Sequence, residues 1–147
     1  MNSVPHLAWL GQIATTLPLV GLIWFVQVVA YPLFAHVGAA EFAAYHRSHS
    51  NLITLLVGPL MMAELAAASV WATDTGGMAS RPVALIGLGL VALAWCVTVF
   101  VSVPQHAILA RGFDPQAHGL LVATNWLRTI AWTARGILLL TLAARQH

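Results

Sequence analysis

Seven histidines, six arginines and four acidic residues make up most of the side chains able to do acid, base or metal chemistry in a 147-residue chain that is 60% apolar. Two of them, His46 and His49, are three residues apart. On a helix this spacing puts both imidazoles on one side, about 5–6 Å apart at Cβ, which suits a shared metal. His106 can supply a third imidazole, leaving an open position of the kind used by hydrolytic and oxygen-handling centres. Iron or copper fits such a ligand set, and a b-type haem between helices is also compatible with it. The plainer reading of the same residues is interfacial histidines facing water and headgroups, because no Glu-x-x-His companion accompanies the pair.

A second group consists of charges inside apolar runs: Glu64, Arg128 and Arg135. On insertion scales each charge within a span costs roughly 2.5–3.5 kcal/mol, and such groups usually turn inward and pair. At a rise of 1.5 Å per residue, Arg135 lies about 21 Å beyond Leu121 and Glu64 about 22 Å beyond His49. The two can therefore sit level as an intramembrane ion pair. Asn125, Arg128, Trp132 and Arg135 share one helical face. Gln27 and Tyr31 form a similar pair four residues apart, able to line the same interior. Arg128 is the shallower arginine, and snorkelling to headgroups is the simplest account of it.

The elements that position these groups are plain from composition. Only 7% of the residues are Asp, Glu, Lys or Arg, against about 25% in soluble domains. Four apolar runs, roughly Leu7–Val37, Asn51–Ala72, Val83–Val103 and Leu121–Ala143, each exceed the ~20 residues that cross a hydrocarbon core. The expectation is an all-α, four-helix transmembrane bundle forming one domain over residues 1–147. Helix 2 can begin as early as Ala40, its first part near the interface; Gly58-Pro59 predicts a kink, and Pro104 a stop to helix 3. Ala84, Gly87, Ala94 and Thr98 give helix 3 a narrow face for close packing. Cys96, the lone cysteine, reads as a small buried packing residue. A net charge of +2 with no lysine implies no nucleic-acid surface.

Short connections bring the end of helix 1, the start of helix 2, the end of helix 3 and the start of helix 4 to one membrane face. His36, His46, His49, His106 and His118 collect there, with Asn125 and Arg128, while His6 and His147 fall at the other end. Arginines are evenly divided between the two sides, so the positive-inside rule leaves sidedness open.

Val103-Pro104-Gln105-His106-Ala107-Ile108-Leu109, followed by Asn125-Trp126-Leu127-Arg128-Thr129, resembles the second half of the anthrone-oxygenase-like family of small four-helix membrane proteins. Tyr31-Pro-Leu-Phe34 and Tyr45-His-Arg-Ser-His49 resemble its uncharacterised bacterial members, for which the bacterial cytoplasmic (inner) membrane is the expected location. The resemblance implies oxygen insertion into an electron-rich phenolic substrate without an obvious cofactor. By that analogy His106 is a general base, and Asn125 and Arg128 stabilise the resulting anion. His46 and His49 depart from a cofactor-free scheme. The leading expectation is a membrane oxidoreductase acting on a small lipophilic molecule that arrives from the bilayer. Two alternatives stand beside it: a small subunit or assembly factor of a larger membrane complex or homo-oligomer, and a proton-coupled carrier using Glu64 and Arg135.

Overall fold

The computed structural model describes residues 3–145, so His147 lies outside the described residues. Four helices account for most of them: α1 (Ser3–Phe34), α2 (Ala39–Thr73), α3 (Arg81–Leu109) and α4 (Pro115–Ala144), each long and apolar enough to cross a membrane. Among the described residues there is no strand. Helices α1 and α3 each pack against both α2 and α4, giving an up-down-up-down bundle. Short turns close it. Asp74 Oδ1 accepts from the Gly76 N–H at 2.8 Å, and Gly76 and Gly77 take the left-handed conformations that the α2–α3 turn requires. Asp114 caps α4, accepting from the Ala117 N–H at 2.8 Å, with Pro115 at the first helical position.

The bundle is apolar outside, and it carries its polar groups among the apolar side chains of the core. Phe100 is 75% and Leu55 74% exposed, whereas Gln12, Thr16, Gln27, Glu64, Asn125 and Arg135 are buried. An apolar exterior around buried polar and charged groups fits lipid as the surrounding solvent, and the chain is an integral membrane protein. Because acyl chains are as apolar as Leu, such helices associate through close packing and interhelical hydrogen bonds. Glycines mark the close approaches. A Cβ on Gly11 would stand 3.3 Å from the Ala67 Cβ on α2, and one on Gly136 would stand 3.2 Å from Val20 Cγ2 on α1. Ala84, Gly87 and Ala94 form the buried face of α3, while Cys96 is exposed on its outer side and is not the packing residue expected.

Pro104 does not stop α3. In both α1 and α3 a proline follows a wide turn of π-helix, Val26–Ala30 before Pro32 and Thr98–Ser102 before Pro104. A proline ring clashes with the carbonyl four residues back, here that of Val28 or Phe100, and in each case this residue lies within the wide turn. The Tyr31 N–H reaches back to the Val26 carbonyl and the Val103 N–H to that of Thr98. The helix thereby absorbs the proline and continues. Consequently α3 runs to Leu109, and the α3–α4 connection shrinks to residues 110–114. The early turns of α2 are amphipathic: Phe42 and His46 are buried against Phe34, while Glu41, Tyr45 and Arg47 are exposed.

The topology has a direct test. In a Cys96→Ala background, Ser80→Cys and Gln116→Cys should react with a membrane-impermeant thiol reagent from opposite sides of sealed vesicles. Labelling of both from one side would exclude this bundle.

Candidate functional site

Two polar layers cross the bundle. In the deeper one, Arg135 Nε donates to Glu64 Oε1 at 3.0 Å, and all four helices contribute. Arg135 Nη1 donates to the Gly87 carbonyl at 2.6 Å and Nη2 to Gln12 Oε1 at 2.7 Å. Thr16 Oγ1 donates to Glu64 Oε1 at 2.6 Å and Trp132 Nε1 to Glu64 Oε2 at 2.9 Å. Gly87 makes room for this bond, since a Cβ there would stand 2.9 Å from Arg135 Nη1 and the guanidinium would have to shift. With both carboxylate oxygens and three guanidinium nitrogens engaged, the pair is a structural tie across the bundle.

The second layer, near the 35–38 and 110–114 connections, holds the predicted site residues. His46 Nε2 and His106 Nδ1 are 3.0 Å apart, and His106 Nε2 is 3.0 Å from the Tyr31 hydroxyl. Three helices thus form one chain, Tyr31–His106–His46. Two proton arrangements satisfy it. In one, Tyr31 donates to His106, whose Nδ1–H donates to His46; in the other, both bonds reverse and the tyrosine hydroxyl proton is left to donate elsewhere.

His49 stands apart from this chain, edge-on to Phe34 at 5.0 Å between ring centroids. Among the described residues, no group of three or more His, Cys, Asp or Glu is placed to hold a metal ion. The three-imidazole set expected for iron or copper at His46, His49 and His106 is therefore not the arrangement found. The helix spacing does bring His46 and His49 close, but the third imidazole is hydrogen-bonded between His46 and Tyr31. His118 and His36 have local roles. His118 Nε2 donates to the Tyr31 carbonyl at 2.8 Å, and His36 Nδ1 to the Pro32 carbonyl at 3.3 Å.

Arg128 is 7% exposed and does not snorkel to the surface. Its Nη1 donates to Asn125 Oδ1 at 3.2 Å and more weakly to Ser102 Oγ at 3.4 Å, and its guanidinium lies 5.2 Å from the Trp132 ring centroid. Asn125 is itself held, since its Nδ2 donates to Gln27 Oε1 at 2.8 Å. No carboxylate pairs with Arg128 among the described residues; the ion pair there is that of Arg135 with Glu64.

These groups meet at a cavity of about 220 Å³. Tyr31, His49, Ser102, His106 and Arg128 line its polar end, and Leu19, Ile23, Met61, Trp95 and Trp132 its apolar end. Part of its border comes from the two proline-marked stretches of α2 and α3. Gly58, next to Pro59 in α2, and Thr98 and Ser102, from the wide turn of α3, all border it. Asn125 does not line it and acts on it through Arg128. Sequence reasoning missed Tyr31 as a partner of His106. The available signal was its place at the same membrane face, one residue before a helix-end proline.

Compared with protein-family models, with curated proteins and with solved structures, the chain matches none of them.

Proposed function

We propose that this protein is a membrane oxidoreductase that binds a small lipophilic phenol as its anion and delivers it to dioxygen. The observation that carries this reading is a buried guanidinium with no carboxylate partner among the described residues, Arg128, on the wall of a cavity shared with Tyr31 and His106. An unpaired buried charge is strongly unfavourable, and a bound phenolate supplies its missing partner.

Proton transfer follows the hydrogen-bond chain. A phenol O–H donates to the Tyr31 oxygen; the tyrosine proton passes to His106 Nε2, and the His106 Nδ1 proton passes to His46 Nε2. The substrate O–H bond is broken, the phenolate remains beside Arg128, and the positive charge resides on His46 near the membrane face. Tyr31 and His106 thus act as relay and general base, and Arg128 as the electrostatic stabiliser. Asn125 positions Arg128.

The phenolate is the electron-rich form that dioxygen oxidises. When a ring-attached CH2 becomes C=O, one oxygen atom enters the product and the other leaves as water with the two hydrogens, so dioxygen is the sole oxidant. In this reading Glu64 and Arg135, bound to each other and to neighbouring polar groups and not among the residues lining this cavity, serve as a structural tie rather than as a carrier's charges.

The test is protein in lipid nanodiscs supplied with para-ethylphenol and isotopically labelled dioxygen. Oxygen uptake matched by a ketone carrying one labelled oxygen is the expected result. Uptake no greater than in empty nanodiscs would sink the proposal.

A further inference from the structure

Resting on that reading, we infer that the natural substrate is a single phenolic ring bearing a long alkyl or isoprenoid tail, with the ring in the cavity and the tail leaving between α2 and α3. Size gives the first argument. An engineered cavity of about 150 Å³ accepts benzene, so a cavity of about 220 Å³ holds one substituted ring and not three fused ones. Drug-sized ligands occupy roughly 300–1,000 Å³, so anything longer must extend outside.

The position of the opening gives the second argument. Thr54 on α2 and Val103 on α3 line the cavity and are also exposed on the flank of the bundle. Thr54 and neighbouring Gly58 lie in the middle third of α2, away from its ends, and exposed Leu55 and Leu56 make the flank beside them apolar. The exit therefore leads into lipid.

Polarity gives the third. Tyr31, His106 and Arg128 are at one end of the space, and Ile23, Met61 and Trp95 are at the other. A phenolic oxygen at the polar end directs the opposite side of the ring toward the apolar wall and the opening. A para tail meets this geometry, and its first CH2 remains within the cavity.

The experiment measures binding in nanodiscs by tryptophan quenching, with Kd expressed as mole fraction in the lipid so that partitioning cancels. The probes are para-dodecylphenol, para-cresol and anthrone. Narrowing the opening with Thr54→Phe and Val103→Phe together should weaken para-dodecylphenol about tenfold or more, and para-cresol by less than about twofold. Leu55→Phe, on the exposed face beside the opening, should change neither and controls for folding and bilayer effects. Equal weakening of both phenols, no weakening of either, or anthrone binding as tightly as para-cresol would overturn the inference. Arg128→Met separates the two readings. If it binds para-cresol as the wild type does, the functional proposal fails; if it loses para-cresol while the narrowed opening fails to discriminate, only the tail does.

Discussion

Replacing Glu64 by Leu is expected to destabilise the bundle by about 3–5 kcal/mol, the range for breaking one side of a buried pair. Arg135→Met should cost less, because a stranded carboxyl can take up a proton and lose its charge, whereas a stranded guanidinium cannot. Arg135 would retain only the Gln12 and Thr16 side chains and the Gly87 carbonyl. The double variant should be more stable than Glu64→Leu alone, since no charge then remains in the interior. Unfolding in mixed micelles with increasing dodecyl sulfate, read as a double-mutant cycle, measures the coupling. Simple additivity would mean that the two side chains stabilise the bundle independently. The tie also reaches the candidate site. Trp132 donates to Glu64 at 2.9 Å and lies 5.2 Å from the Arg128 guanidinium, so Glu64→Leu should lower activity even in the fraction that remains folded.

In the oxygen-uptake assay, His106→Gln should lower kcat by about 10²–10⁴, the usual range for loss of a general base. Gln preserves much of the size and some hydrogen bonding but cannot take up the proton. Arg128→Met should lower kcat by about 10²–10³, as loss of an oxyanion-stabilising group does. Asn125→Ala should have a smaller effect, because Arg128 keeps Ser102 and the Trp132 face. Uptake by His106→Gln at the wild-type rate would remove His106 from the reaction. Full activity in Arg128→Met would remove the anion.

Much of the fold was legible because membrane insertion is decided locally. A run of about 20 apolar residues must satisfy its own backbone in lipid and therefore becomes a helix whatever its neighbours do. Short connections then dictate antiparallel order, which alone brings His46, His106, Asn125 and Arg128 to one face. The depths of Glu64 and Arg135 followed from the rise per residue, and in the structure the two lie 3.0 Å apart.

Helix ends were harder to read, as α3 shows by continuing through Pro104. Proline removes one donor and crowds one carbonyl, but whether the helix breaks or widens depends on what packs around it. The site also exceeded what spacing conveys. Residue intervals placed His46 beside His49, yet the partner of His106 on its far side is Tyr31, from a helix 75 residues earlier. Such a pairing depends on how two helices rotate against each other, and an i, i+3 pattern carries no information about a neighbour's rotation. The cavity is the clearest case. Gly58-Pro59 and Pro104 were visible in the sequence, but only when α2 and α3 stand side by side do Gly58 and the wide turn of α3 border one space. The sequence by itself determined the number of helices, their order and which end gathers the histidines, because these follow from backbone satisfaction and chain length. The tertiary structure decided which imidazole meets which tyrosine, that Arg128 pairs with no carboxylate among the described residues, and where a ring can fit, because these depend on helix rotation and the packing of side chains across the bundle.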